Sequence, residues 1–142
     1  MAKDLRHYLN KVKEEMPENY IEIEKEVDPK FEIVAIQQKL EDEDRYPILR
    51  FKNVKNLYGE PSGFEVVTNV FAHRKNCALA LDLSKDQWRM ETSLEYARRA
   101  NDLIKPVIVD KSEAPCKEVI MTGDEVDLYK LPVQTHHEMD GM

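Results

Sequence analysis

The densest group of side chains able to hold a metal or move a proton lies near the end of the 142-residue chain: His136, His137, Glu138 and Asp140. Adjacent histidines on an extended strand project to opposite faces, so His136 and Glu138 form the same-face pair. A closed metal site needs about three or four protein ligands. The two remaining histidines, His7 and His73, are distant in sequence. Two ligands on one strand make an incomplete set, so the expectation is no metal site within this chain. A solvent-facing or domain-junction role is expected for the four residues, as is usual for polar terminal segments.

Nucleophilic catalysis is no better supported. Cys116 follows Pro115 in a turn-like stretch, but the carboxylates of Glu113 and Glu118 disfavour a thiolate there. Cys77, before Ala78 and Leu79, is placed for core packing. Both are expected to be reduced structural thiols, being too few and too far apart for a disulfide framework. Trp88 and Tyr96 are expected in a core or an interface. The four glycines fall in no phosphate-binding fingerprint, which argues against a self-contained phosphate cradle.

Charge narrows the class further. Twenty-one Lys and Arg against 28 Asp and Glu give a net charge of −7. The middle of the chain is mildly positive through Arg74, Lys75, Arg89, Arg98 and Arg99, yet no aromatics interleave with these cations as a nucleic-acid platform requires. No apolar run approaches the ~20 residues of a membrane span, and residues 1–13 lack the apolar core of a signal peptide. The expectation is a cytoplasmic protein.

The positioning elements follow from periodicity. Asp4 can cap a first helix whose apolar residues Leu5, Tyr8, Leu9, Val12 and Met16 share one face, with Pro17 as its stop. Tyr20 to Glu24 alternates as a half-buried strand does, and Asp28-Pro29 suits the start of a helix over Phe31 to Glu41. Pro47 to Phe51 reads as a strand, and the β-branched run within Phe64 to Phe71 reads as a more central one. A helix is expected over Lys75 to Leu83. The longest should run from a cap at Ser84 or Asp86 to Ile104, burying Met90, Leu94, Ala97 and Ile104. Short strands are expected at Val107 to Val109 and Glu118 to Met121, and a connecting segment over Asp124 to Leu131.

Helices interspersed with strands indicate one α/β domain with a mixed sheet flanked by helices, over residues 1–131. After Pro132 the polar stretch to Met142 reads as the beginning of an extended segment without a partner, the pattern of a cut polypeptide.

Taken in order, several short motifs carry a resemblance. They are Asp4-Leu5-Arg6, Ile21-Glu22-Ile23 with Val27-Asp28-Pro29, and Pro47-Ile48-Leu49-Arg50-Phe51-Lys52-Asn53-Val54-Lys55. Val67-Thr68-Asn69-Val70-Phe71 then leads into Asn76-Cys77-Ala78-Leu79-Ala80-Leu81, followed by Glu113-Ala114-Pro115-Cys116, Asp127-Leu128, Leu131-Pro132 and His136-His137-Glu138-Met139-Asp140-Gly141. The chain resembles the N-terminal part of the UbiD-type decarboxylases, which use prenylated flavin mononucleotide (FMN) to add or remove carboxylate on aromatic and α,β-unsaturated acids.

The resemblance implies a carbon–carbon lyase whose flavin-phosphate ligands, divalent metal ligands and catalytic Arg and Glu all come from later segments. No catalytic, cofactor-binding or metal residue is then expected in this chain, and residues 132–142 would open the flavin-binding split barrel. The implied partners are the remaining domains of a parent enzyme, itself a homo-oligomer, and its acid substrate. The fragment alone would be inactive and bind no cofactor. Two other readings compete. One is a stand-alone interaction module or small subunit docking on a catalytic partner through residues 136–142. The other is a metal-dependent hydrolase using His136, Glu138 and Asp140, which the ligand count disfavours.

Overall fold

The computed structural model of the protein describes residues 4–140. Asp4 caps α1 (Leu5–Glu15), its carboxylate accepting from the His7 amide at 2.7 Å. Leu9, Val12 and Met16 are buried on its inner face, and Pro17 forces the chain into a 3₁₀ turn that delivers β1 (Tyr20–Ile23). α2 (Glu32–Glu41) crosses to β2 (Ile48–Phe51), which pairs parallel with β1, and β3 (Val66–Thr68) returns antiparallel. α3 (Arg74–Ala80) and α4 (Met90–Ala100) complete the regular elements, with 3₁₀ turns beyond them.

The three strands lie in the order β1-β2-β3, so β2 is central and β3 is an edge, contrary to the expectation from β-branched content. Centrality depends on what covers both faces, and β2 carries Ile48, Leu49 and Phe51 at 0% exposure. Strand alternation assigns the two faces. Tyr20 and Ile48 pack with Leu9, Val12, Met16 and Leu79, while Leu49 and Phe51 pack with Ile33, Val27 and Val54, joined by Ile21, Ile23 and Val66. The sheet is thus sandwiched by α1 and α3 on one side and α2 on the other.

α2 occupies Glu32–Glu41, within one residue of the expected Phe31 to Glu41. Asp28 accepts from the Lys30 amide (2.7 Å), while Glu32 reaches back to the Asp28 amide (2.7 Å). The residue preceding the helix, Phe31, sits in left-handed backbone at φ 71°, a conformation that costs an aromatic residue on the order of 1–3 kcal/mol.

The final third departs most from the sequence expectations. Val107 to Val109 and Glu118 to Met121 form no strand, because no described strand lies alongside to take up their backbone groups. α4 ends at Ala100, and Met90, Leu94 and Ile104, expected in the core, are 71%, 63% and 96% exposed. Tyr96 is exposed as well.

Candidate functional site

The C-terminal polar group is brought to the start of α2 by two reciprocal backbone bonds. The Phe31 amide donates to Thr135 O and the Thr135 amide to Pro29 O, each at 3.1 Å. This parallel bridge between Lys30 and Thr135 holds the strained Phe31 turn and sets His136 and His137 beside it. Phe31, His136, His137 and Glu138 together line an open depression.

The extended run ends at that bridge. Residues 138–140 fold into a turn, and one carboxylate oxygen of Asp140 accepts both the His136 amide (2.7 Å) and the His137 amide (2.9 Å). The expected extension through Asp140 is replaced because that carboxylate satisfies the two amides locally. These bonds, the one from His137 first, hold the Asp140 carboxyl below its ordinary range. Asp140 therefore acts as a backbone cap. The His136 and His137 rings lie 6.5 Å apart edge-on, and His136 Nε2 is 3.1 Å from Gln134 Oε1. Among the described residues no group of three His, Cys, Asp or Glu side chains could hold a metal ion.

A second attachment, which short-range sequence signals do not locate, joins the loop after β2 to the segment before Pro132. The Leu57 amide donates to Tyr129 O at 2.9 Å, Tyr58 and Tyr129 stack with centroids 5.7 Å apart, and the Tyr58 hydroxyl donates to the Asp127 carboxylate at 3.2 Å. Partial desolvation, reinforced by Asp127, pushes the Tyr58 hydroxyl above its ordinary pKa. The Asp127-Leu128 motif was visible in the sequence; its aromatic partner, 69 residues earlier in the chain, was not.

Elsewhere several cations are paired with carboxylates or rings. On the sheet face shared with α1, Arg50 donates to Glu65 (Nε, 2.8 Å) and Glu22 (Nη1, 3.3 Å), and Lys52 lies 3.4 Å from Glu65. The Arg50 bonds hold the Glu65 carboxyl below its ordinary range. Arg98 and Arg99 both bond Glu95, and Arg89 stacks over Trp88 at 5.1 Å. An apolar groove of about 260 Å³ runs between α1 and the turn before α3, lined by Leu5, Tyr8, Phe71 and Leu79. Across it the Tyr8 hydroxyl shares its single proton between Val70 O (2.9 Å) and Asn76 O (3.2 Å).

The cysteines fit the structural reading only in part. Cys77 is half-buried, its thiol 3.7 Å from Phe71 O, whereas Cys116 is exposed in a 3₁₀ turn and so packs in no core. Composition did not point to the buried polar groups. Asn76 is fully buried with neither amide heteroatom hydrogen-bonded, and Thr68 Oγ1 and Asn69 Nδ2 are likewise unpartnered within the described protein.

A three-stranded mixed sheet between helices, with its terminal segment strapped back onto it, matches the N-terminal domains of a class of carboxy-lyases. Vanillic acid decarboxylase of Sedimentibacter hydroxybenzoicus in its closed form superposes with a TM-score of 0.79 at 29% identity, over 99% of this chain and 29% of that one. The evolved dimeric form of the UbiD-class enzyme HmfF from Pelotomaculum thermopropionicum, solved with prenylated FMN, gives 0.71 at 30% identity, over 96% and 29%.

The chain belongs to the UbiD family: residues 13–93 match the model of the 3-octaprenyl-4-hydroxybenzoate carboxy-lyase N-terminal domain, and residues 107–142 that of the same enzyme's Rift-related domain. Phenolic acid decarboxylase of S. hydroxybenzoicus is 30% identical over 98% of this chain, and ferulic acid decarboxylase 1 of Saccharomyces cerevisiae 28% over 99%. The chain spans 28% of the length of each of these two relatives.

Proposed function

We propose that this chain is the N-terminal part of a cytoplasmic, prenylated-FMN-dependent UbiD-type (de)carboxylase acting on an aromatic or α,β-unsaturated carboxylic acid. The observation that carries the reading is the ordered match of both family models along a chain spanning only 28% of its relatives. In this reading residues 1–131 form the N-terminal domain, and residues 132–142 lead into the flavin-binding domain. His136, His137, Glu138 and Asp140 lie at the junction, and the catalytic residues are supplied by the remainder of a homo-oligomeric parent.

The residues present do not fit a flavin phosphate or a divalent metal. Gly59, Gly63 and Gly123 sit in turns where an added Cβ would meet nothing within 4 Å, so none marks a close backbone approach to a ligand. Arg50 and Lys52, beside the depressions in the sheet face, are already paired with carboxylates, and Asp140 is committed to two amides. In a decarboxylase of this type the group supplies an electron sink, and the protein supplies orientation and electrostatics. The role we assign to this chain is to build one wall of the cleft, domain junctions being favoured positions for ligand sites.

Sequencing the source gene beyond codon 142 tests the reading. Continuation into a Tyr-Ile-Thr strand and the rest of the Rift-related domain is expected, and a stop codon there would refute it. Equilibrium dialysis of the isolated chain against prenylated FMN should show no stoichiometric binding.

A further inference from the structure

α4 is amphipathic in the reverse sense. Thr92, Glu95 and Arg99 recur at the spacing of one helix face and are its half-covered residues. Arg99 donates to Leu81 O at 2.5 Å and to Glu95 at 2.6 Å, so the face turned toward the domain is polar. Met90, Leu94 and Ala97, at i, i+4 and i+7, face outward, and no residue of the helix is buried. The apolar surface continues past the helix through Leu103 and Ile104, which are 82% and 96% exposed. An outward apolar helix face needs something to cover it.

We propose that this outward stripe, Met90, Leu94 and Ala97 continued by Leu103 and Ile104, docks the part of the UbiD-type polypeptide that follows the region spanned here. The inference rests on the reading given under Proposed function and extends it to a named surface. Two observations select this occupant over a second copy or an unrelated protein, and a third is compatible with burial of the stripe. The chain spans 28% of its relatives, so most of the relatives' polypeptide has no counterpart on the present surface. The match to the Rift-related domain model begins at residue 107, seven positions after α4 ends, so the stripe adjoins in sequence the segment that matches that model. Residues 90–109 carry three acidic and three basic side chains, which leaves a neutral face on a chain of net charge −7. Desolvating the stripe therefore brings no net like-charge penalty from that stretch.

The test has two arms. In the isolated chain, Met90→Glu with Leu94→Glu should leave the melting temperature within about 2 °C of wild type, since exposed positions contribute little to stability. A larger fall would show the stripe to be internal and would overturn the proposal. In the second arm the chain replaces the matching N-terminal region of S. hydroxybenzoicus phenolic acid decarboxylase, and hydrogen exchange of α4 is compared with that of the isolated chain. Exchange at least about tenfold slower in the chimera, with the slowing lost in the double variant, is expected for a docked helix. Protection no greater than in the isolated chain, whether or not the chimera assembles, overturns the docking surface, as does slowing that survives the double substitution. Neither result bears on the fragment reading, which the coding sequence past codon 142 decides independently.

Discussion

Tyr8→Phe isolates the hydroxyl that ties α1 to the turn before α3. The ring stays, with its packing against Phe71 at 5.8 Å, while the one hydroxyl proton shared between Val70 O at 2.9 Å and Asn76 O at 3.2 Å is removed. A neutral hydrogen bond contributes about 0.5–1.5 kcal/mol net, and leaving a part-buried carbonyl without its donor adds to the loss. A destabilisation of about 1–2 kcal/mol follows, which for a chain of this length lowers the melting temperature by roughly 2–8 °C. The alkaline limb supplies an independent check. Burial raises the Tyr8 pKa, with nearby Cys77 adding to it, so the hydroxyl stays protonated in the folded state after it would ionise in the unfolded one. Its contribution is complete below pH ~10 and falls as pH rises beyond that. The gap between wild type and Tyr8→Phe, measured by urea unfolding, should therefore be widest near neutrality and narrow above pH 10. Equal stability at pH 7, or a gap that widens at alkaline pH, would refute the assignment of Tyr8 as the tie between α1 and α3.

Phe51, fully buried at the end of the central strand, should cost about 3–5 kcal/mol when changed to Ala, and circular dichroism should show a largely unfolded population at 37 °C. Bonds from Arg98 and Arg99 hold the Glu95 carboxyl at about 2, so its support of α4 is complete above the ordinary Glu pKa and is lost as pH falls toward 2. Helicity should accordingly drop between pH 4 and pH 2 in wild type and be low and flat in Glu95→Gln; identical acid titrations would rule out the pair. Thr135→Pro removes the amide that donates to Pro29 O, so hydrogen exchange at the Phe31 amide should accelerate by up to about tenfold; an unchanged rate would mean that another contact holds the strap.

Local rules were enough for much of the first 80 residues. The Asp4 cap, the stop at Pro17, the alternation at Tyr20 to Ile23 and the apolar run at Ile48 to Phe51 are short-range signals, and each appears where its spacing places it. The motif order also carried the family, because it samples the whole chain and needs no knowledge of contacts. Tertiary structure decided what short-range signals do not encode. β3 became an edge because β2 takes strand partners on both sides, and the Phe31 turn before α2 is pinned by Thr135, more than 100 residues away. The Tyr58 to Asp127 attachment likewise depends on residues that meet only after folding. Periodicity identified an apolar stripe on α4 but could not tell whether this chain covers it. Amphipathicity states that a face needs a partner, and only the assembled fold shows that here it turns outward while Glu95 and Arg99 turn in.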